Sequence, residues 1–394
     1  GNYADTRLMT NNPDSFIYRR LPNLQYAKAK VLDSVTLSTG GIVSLDYELN
    51  TNHKNFVIPL TQQTASLTTV GGLRIKRLIL DDGMSQNNQL VKDFKYVEED
   101  GSSSGVLGNI PLYGFAYTEN AVSATYDPGF ALASICPNYG MFTPPNYFLV
   151  HGSNSLNSLL YTNGAPVGYD RVEEYFGTVN NFKKKTVYKF TTSEDYPSSF
   201  NNEDYNDLPF LNIPDLDFCK GLLLETATYN ASGLLERKIK HQYSCYQYPY
   251  NIKEFKTIKT ALNYYDVQYY PDTNSFVWKY SYPITGKVFE TKTIDSQFYA
   301  NNKYIVDTTR IFYDTAHNII DYTLATNALN EQIKTKYYYP VSFTYGAYST
   351  LTAKNIWQPI RVEKWNNTLS QRLINASIVE YSSYNNIIKP YKFW

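Results

Sequence analysis

The feature that most constrains this chain is a recurring alternation of apolar and polar residues, interrupted at short intervals by Asn, Asp and Gly. Residues 40–50, GGIVSLDYELN, show it clearly. Val43, Leu45 and Tyr47 fall on one side of an extended strand, because strand side chains point alternately to the two faces. The alternation predicts half-buried strands joined by tight turns, and therefore an all-β protein.

The same pattern continues through the first half of the sequence. Residues 70–83 predict a strand that is opened by Gly71-Gly72. Residues 89–107 predict a strand, a Gly-rich turn and a second strand. Residues 165–194 predict two strands around an Asn180-Asn181 turn, since Asn and Gly supply the positive φ angles that tight turns need.

Three hairpins in the second half share one turn chemistry. Each places an aromatic residue directly before an Asn or Asp, at Tyr229-Asn230, Tyr313-Asp314 and Trp365-Asn366. The side chains of Asn and Asp close turns by accepting hydrogen bonds from nearby backbone N–H groups. Residues 281–294 predict one more strand–Gly–strand unit, around Gly286.

The domain organisation follows from a break in this rhythm. Residues 195–219 are rich in Pro, Asn and Asp and have no period, which predicts an extended connector. A β-rich N-terminal domain is therefore expected over 1–194, and a β-hairpin region over 220–394. The length of 394 residues suits such a division.

Composition excludes several classes of function. Tyr, with 39 copies, favours strands, and 36 basic residues balance 36 acidic ones. Nucleic acid is therefore not expected as a main partner, because phosphate binding needs an excess of cations. The sequence has no apolar run of membrane-spanning length, so membrane insertion is not predicted. The first residues lack the features of a signal peptide, which leaves a cytoplasmic protein or the mature part of a longer exported one, and we expect the second.

The three cysteines, Cys136, Cys219 and Cys245, are too few for a disulfide scaffold and form no C-x-x-C pair. Ordinary thiols are the expected reading. A bridge between Cys219 and Cys245 stays open, because spacing alone cannot decide it.

Two of the turns resemble a known repeat. YNASGLLER from Tyr229 and YDTAHNIID from Tyr313 are similar to degenerate copies of the YD repeat, Tyr-Asp-x-x-Gly-Asn. The first copy keeps Tyr229 and Gly233, and the second keeps Tyr313, Asp314 and Asn318. Upstream, about residues 20–240 resemble in their order of segments the region that precedes YD repeats in Rhs-like proteins of Bacteroidota.

The resemblance implies a secreted or surface-exposed protein that is longer than this chain, with a strand-rich spiral or shell as in Rhs and teneurin proteins. Such a shell encloses a C-terminal payload in some members. The self-cleaving aspartates and variable tail of the Rhs core have no counterpart here. The family supplies no catalytic residues, and we predict no cofactor.

Catalytic candidates were sought among nucleophiles and histidines. GSSSG, 101–105, matches G-x-S-x-G around Ser103, but a nucleophile elbow needs a helix after the serine, and VLGNIPLYGF predicts none. A hairpin loop is the expected structure there. The four histidines lie far apart, without metal-binding spacing, and surface or turn positions are expected for all of them: His53, His151, His241 and His317.

Acidic residues form two further candidates. The neighbouring pairs Asp81-Asp82, Glu98-Glu99 and Glu173-Glu174 point to opposite faces if they lie on strands, so none forms a glycosidase dyad. The connector carries five acids without EF-hand spacing, which favours a solvated linker over a calcium site: Glu203, Asp204, Asp207, Asp215 and Asp217. We predict no metal site.

Surface chemistry gives the remaining expectations. Lys183, Lys184 and Lys185 predict a solvated turn at a hairpin tip. Tyr-rich stretches such as 262–272 could stack on sugars, although packing between strands is the commoner role of such rings. Three Asp-Ser/Thr segments resemble Bacteroidota O-glycosylation sites, with acceptors at Ser34, Thr308 and Thr315.

The sequence therefore predicts a non-enzymatic structural segment, secreted or at the outer cell surface, that scaffolds or encloses another part of a larger protein. Its partner is then the remainder of that polypeptide. Two alternatives remain. The chain is an adhesin-like module for glycan or protein, or it is cargo of the outer-membrane type IX secretion machinery.

Overall fold

A computed structural model of the chain confirms the predicted all-β class. Twenty-two strands lie among the described residues, together with two short α-helices and two 3₁₀ turns. The structure describes the following residues: 22–55, 69–84, 89–108, 114–119, 146–151, 162, 164–196, 215–248, 252–259, 276–300, 303–368, 371–384 and 387–393.

The first eleven strands have these bounds: β1 Ser34–Thr36, β2 Ile42–Thr51, β3 Lys54–Asn55, β4 Thr69–Asp81, β5 Leu90–Lys95, β6 Gly105–Leu107, β7 Gly114–Glu119, β8 Asn146–His151, β9 Val167–Tyr169, β10 Arg171–Thr178 and β11 Asn181–Phe190. The other eleven follow: β12 Leu223–Asn230, β13 Leu235–Tyr248, β14 Glu254–Lys259, β15 Phe276–Ser281, β16 Thr285–Phe298, β17 Tyr304–Asp314, β18 Ile319–Thr326, β19 Gln332–Tyr338, β20 Arg361–Asn366, β21 Arg372–Tyr384 and β22 Ile387–Phe393. The helices are α1 Leu24–Ala27 and α2 Ala347–Ala353, and the 3₁₀ turns are Asp217–Cys219 and Pro340–Ser342.

Fifteen strands belong to one antiparallel sheet, and the chain divides into two compact units. The first unit comprises Gly1–Val172, Thr191–Leu222 and Gln247–Gly286. The second comprises Glu173–Phe190, Leu223–Tyr246 and Lys287–Trp394. The divisions expected at 194 and 219 stay predictions, because most of the 195–219 connector lies outside the described residues.

In the first unit, β1, β2, β4 and β5 are neighbours in that order. β2 and β4 form the longest pair, with Leu45 opposite Leu78. β4 carries two bulges against β2, one at Lys76 and one at Gly71-Gly72. The Gly-Gly pair therefore lies inside β4 and does not open it, which corrects the sequence-based boundary. Gly72 has a φ of +92° there, a conformation that favours glycine.

A small sheet of β3, β6 and β9 completes the described part of this unit's centre. Val70, Leu107 and Val167 are buried together, and Tyr169 packs against them. Gly105 begins β6 in close contact with β2, since a Cβ built there would lie 1.9 Å from the carbonyl oxygen of Thr51. β6 is thus held against β2 by backbone contact, and β6 and β9 pack against β4 through Val70.

Two separate hairpins, β7–β8 and β14–β15, also belong to the first unit. The expected strand–Gly–strand unit around Gly286 is wrong. β15 ends at Ser281 and Gly286 lies inside β16. The break falls at Tyr282–Ile284, because Pro283 has no N–H to donate to a strand ladder.

In the second unit, each strand from β16 to β22 pairs with its successor in the sheet, antiparallel throughout. β11 pairs with β12, and β12 with β13, in the same way. α2 supplies a local core, in which Tyr348, Leu351 and Ile360 are buried against Tyr381 and Ile388.

The three hairpin turns with an aromatic–Asn/Asp pair share one geometry. In each, the side-chain oxygen accepts a backbone N–H two residues on: Asn230 from Ser232 at 3.0 Å, Asp314 from Ala316 at 2.9 Å, and Asn366 from Thr368 at 3.0 Å. In each, the register of the hairpin shifts at the aromatic residue, so the returning strand carries one extra residue: at Tyr229, Tyr313 and Trp365. The predicted turn chemistry is therefore present, and we call this arrangement the bulged turn.

Positive φ angles close two of the bulged turns. Gly233 has a φ of +77° and Asn318 one of +58°. Asn is one of the few residues besides Gly that adopts this conformation readily. The β18–β19 hairpin uses the same device at Asn330, with Asn327 accepting from Leu329, but its register has no shift.

Candidate functional site

The most elaborate polar site of the described chain is centred on Arg74 of β4. Its guanidinium lies 4.4 Å from the ring centroid of Tyr96 and 5.1 Å from that of Tyr169. Its Nε donates to Oε1 of Glu48 at 2.7 Å, and its Nη1 donates to the hydroxyls of Thr51 and Tyr169 at 3.0 Å each. The guanidinium thus lies against two neighbouring rings, whose centroids are 4.6 Å apart, and donates hydrogen bonds through Nε and Nη1, an arrangement that lysine cannot reproduce.

The Gly71-Gly72 bulge is part of the same site. The Tyr169 hydroxyl donates to Oδ1 of Asn50 at 2.9 Å, and Nδ2 of Asn50 donates to the Gly71 carbonyl at 3.0 Å. A Cβ at Gly72 would lie 2.7 Å from Nδ2 of Asn50. The missing side chain therefore lets buried Asn50 reach the bulged backbone.

An open pocket of about 430 Å³ lies beside Arg74. Its lining consists of Thr51, Asn52, His53, Arg74, Tyr96, Val97, Gly101, Ser102 and Ser103. The Thr51 and Ser103 hydroxyls are 2.7 Å apart, and the Ser103 Oγ also accepts the Gly105 N–H at 3.2 Å. The pocket presents hydroxyls and a cation that are already engaged with one another, which suits a structural polar site better than a catalytic one.

Tyr96 gives the site a pH dependence. Burial, opposed by the nearby Arg74 charge, raises the pKa of Tyr96 to about 12. The folded chain therefore keeps a neutral phenol that would ionise near pH 10 when unfolded. Ionisation of the phenol then favours the unfolded chain. The free energy of unfolding therefore keeps its full value below pH 10 and falls as the pH rises towards 12.

Between pH 9 and pH 11.5, we expect the free energy of unfolding of the parent chain to fall by about 2 kcal/mol more than that of the Tyr96→Phe variant. Urea unfolding at a series of pH values measures this. Tyr26→Phe, at an exposed ring, is the matched control for the loss of one phenol. Equal pH slopes for Tyr96→Phe and the parent would contradict the prediction.

Ser103 lies in the hairpin loop that the sequence predicts. Val97 and Ser103 form an isolated bridge, and Gly101 takes a φ of +85° between them. The element after Ser103 is strand β6, not a helix. The Ser103 hydroxyl is hydrogen-bonded to the Thr51 hydroxyl, so the geometry is not that of a nucleophile elbow.

The three histidines whose side chains the structure describes are separated, as expected, but His241 is half-buried within β13 and does not lie in a turn. His53 is exposed beside the pocket. Nδ1 of His241 lies 2.6 Å from Oε1 of Glu290, and Nδ1 of His317 lies 2.7 Å from Oδ2 of Asp314 in a bulged turn. The side chain of His151 lies outside the described part of the structure.

The paired acids do not converge. Glu173 accepts the Tyr175 hydroxyl on one face of β10, while Glu174 accepts the Tyr188 hydroxyl at 2.7 Å on the other. Asp81 and Asp82 instead cap the backbone N–H groups of Gly83 and Met84, and Glu98 and Glu99 lie at the turn that precedes Ser103. In the part of the chain that the structure describes, no group of three His, Cys, Asp or Glu residues could hold a metal ion.

The connector acids include an ion pair that the sequence did not predict. Both carboxylate oxygens of Asp215 lie 2.7 Å from Nζ of Lys220, whose side chain is fully buried. Asp217 begins a 3₁₀ turn. Glu203, Asp204 and Asp207 lie outside the described residues, as does the Tyr-rich stretch 262–272.

The lysines 183–185 are not at a hairpin tip. All three lie within β11, and Lys185 is half-buried over the rings of Tyr175 and Tyr229, 3.6 Å from Glu173. The predicted solvated turn is therefore wrong. The stem of Lys185 lies on aromatic rings while its ammonium keeps Glu173 as a partner, whereas Lys183 and Lys184 are exposed on the strand.

Cysteines and proposed glycan acceptors have simple environments. Cys219 and Cys245 are free thiols, so the bridge that spacing left open is not formed, and Cys136 lies outside the described residues. Ser34 and Thr315 are exposed, whereas Thr308 is half-buried in mid-strand on β17. Modification at these positions stays a prediction.

Comparison with known proteins finds weak structural similarity and no match of sequence. No protein-family model matches the chain, and no curated protein matches it. Among solved structures, it is similar to a chain of a mutant Tc holotoxin pore from Photorhabdus luminescens, with 8% identity and a TM-score of 0.40. The alignment covers 89% of this chain and 16% of that one, so the chain spans about a sixth of its length.

Sequence reasoning missed Arg74, Tyr96 and Tyr169, because they meet only after folding, and Arg74 and Tyr169 are 95 positions apart. It also missed Glu363, which is buried and accepts hydrogen bonds from Tyr338 at 3.0 Å and Trp365 at 3.2 Å. Burial alone would raise the pKa of Glu363. Hydrogen bonds from its neighbours outweigh burial, so the pKa lies below its usual value. No local signal marks either site.

Proposed function

We propose that this chain is a non-enzymatic structural segment of a larger, exported cell-surface polypeptide of the Rhs or YD-repeat kind. In this proposal, its hairpins scaffold or enclose another part of that polypeptide. The observation that carries the proposal is the bulged turn, which occurs with the same side-chain hydrogen bond and the same register shift in three hairpins. A turn repeated in this way is typical of an architecture that is extended by adding similar units.

The faces of the sheet add support. In the second unit, all residues of β18 and most of β16 are half-buried, so neither face of these two strands is fully covered. Large apolar side chains remain exposed on this unit's strands: Tyr304, Ile305, Phe312, Ile333, Leu373, Ile374, Ile387, Tyr391 and Phe393. A sheet with so much exposed apolar surface fits a wall that further polypeptide covers.

Among the described residues, none of the helices has the length and hydrophobicity required to cross a lipid bilayer. Export, the cell-surface location and the Bacteroidota origin rest on the resemblance of the sequence motifs. The adhesin and type IX cargo alternatives stay predictions.

The test begins with the intact mass and peptide map of the native protein from its source cell. The map also reads modification at Ser34 and Thr315, and sugar at either would support export. Arg310→Cys and Ile311→Cys, neighbours on β17 with opposite faces, are then labelled with a maleimide in the native polypeptide and in this chain. The parent protein corrects for native thiols.

If the sheet is a wall, one of the two cysteines reacts at least about tenfold more slowly in the native polypeptide, because one face is covered, and the other is unchanged. Equal rates in both contexts, or a native mass no larger than that of this chain, would overturn the proposal.

A further inference from the structure

The β14–β15 hairpin of the first unit has an unusual distribution of residues between its faces. Phe255 lies opposite Tyr280 and Thr257 opposite Trp278, so these four side chains share one face. Lys256, Lys279 and Ser281 fall on the other face. We call the first the aromatic face of the hairpin.

The aromatic face is the exposed one. Phe255 is 57% exposed, Trp278 55% and Tyr280 41%. On the opposite face Ser281 is buried and donates to Oε2 of Glu254 at 3.1 Å, and burial lowers the pKa of half-buried Lys256. At this end of the hairpin the rings are thus turned outward, while Ser281 on the opposite face is turned inward. Contiguous exposed rings mark an interaction surface.

The three rings form one cluster. Their centroids lie 5.9 Å apart for Phe255 and Trp278, 5.4 Å for Phe255 and Tyr280, and 5.2 Å for Trp278 and Tyr280. These distances are those of closely packed aromatic pairs. The rings support one another, so little conformational entropy is lost when a ligand is bound.

A cation lies at the edge of the cluster. Nζ of Lys253 is 3.4 Å from the ring centroid of Tyr280. The one nearby carboxylate of the hairpin, on Glu254, is turned towards Ser281 on the opposite face. Within the described residues of the hairpin, the aromatic face therefore carries positive charge beside apolar rings.

We propose that the aromatic face binds an acidic polysaccharide, a chain of pyranose rings that carry uronic acid carboxylates. The axial C–H groups of a pyranose are weakly positive and pack on the negative faces of aromatic rings, here those of Phe255 and Trp278, because Lys253 covers that of Tyr280. The carboxylate pairs with Lys253, and the exposed Thr257 hydroxyl is available to a sugar hydroxyl. This surface is separate from the bulged turns and is independent of the structural role proposed above.

Charge favours an acidic sugar over a nucleic acid. Single-stranded nucleic acid needs a positively charged groove that follows its backbone, whereas the contact shown on the aromatic face is that of a single lysine, Lys253. The balanced charge of the whole chain points the same way.

The test is calorimetric titration of the full chain with a galacturonic acid hexamer, with cellohexaose as the neutral probe. We expect the uronate hexamer to bind, Trp278→Ala to weaken binding at least about tenfold, and Lys253→Gln to weaken it about fivefold and flatten its salt dependence. Tyr26→Ala removes an exposed ring elsewhere in the first unit and should change nothing. Circular dichroism checks that each variant is folded.

Undiminished binding by Trp278→Ala would overturn the proposal, and so would equal affinity for cellohexaose with no effect of Lys253→Gln. Tighter binding of hexathymidylate than of the uronate would assign the face to nucleic acid instead. No sugar binding, together with a change in oligomeric state in Trp278→Ala, would assign it to contact between protein chains.

Discussion

Replacing Lys220 by methionine should lower the free energy of unfolding of the first unit by about 3–5 kcal/mol, because it leaves the carboxylate of Asp215 buried without its ion-pair partner. Asp215→Asn should have a similar effect, since it leaves the Lys220 ammonium buried. Hydrogen bonds fix the backbone around Lys220, so the remaining charge cannot move easily into water. The Thr191 hydroxyl donates to the Cys219 carbonyl at 2.7 Å and accepts from the Leu222 N–H at 3.0 Å.

Native-state hydrogen exchange of the peptides that contain Thr191 and Leu222 measures this stability locally, which avoids assuming two-state unfolding of two units. Lys28→Met is the matched control. Its exposed pair with Asp46, at 3.0 Å, should contribute no more than about 1 kcal/mol. The double variant Lys220→Met with Asp215→Leu should recover most of the loss. A Lys220→Met variant as stable as Lys28→Met would show that the pair is not buried in solution.

Gly105→Ala should destabilise the first unit by about 3 kcal/mol, because the new methyl group would enter the space of the Thr51 carbonyl. β6 would have to move away from the end of β2, and the Thr51–Ser103 hydrogen bond would be lost with it. The loss is measured by urea unfolding and by exchange of the Thr51 region.

Gly71→Ala is the control for Gly105→Ala. It adds the same methyl group to a strand of the same unit, with no atom within 4 Å and a φ outside the positive range. Its effect should stay below about 1 kcal/mol. Equal effects of the two substitutions would mean that loss of glycine flexibility, and not the contact with Thr51, determines the result.

The strands and turns could be predicted because their determinants are local. Alternation identified β2, and the Asn and Asp of the bulged turns bond to backbone only two residues away. Positions that depend on a partner strand could not be predicted. The Gly71-Gly72 pair resembled the start of a strand, because its interior position is set by Asn50 of β2.

The candidate sites could be predicted less well, for the same physical reason. The Arg74 site joins residues of β2, β4, β9 and the segment after β5. The burial of Lys220 depends on its ion pair with Asp215, which only the fold shows, so neither periodicity nor composition indicated it. The exposed rings at Phe255 and Trp278 alternate like an ordinary buried strand face, and only the fold shows that this face is outward.

The bulged turns also bear on how such a protein changes over evolution. Each turn is closed by its own residues, and each brings its own register shift, which adds local twist to the strands. Gain or loss of one whole hairpin would therefore leave the geometry of the remaining turns intact. Duplication and deletion in steps of a hairpin are accordingly far better tolerated than insertion of a single residue within a strand, which turns every following side chain to the wrong face.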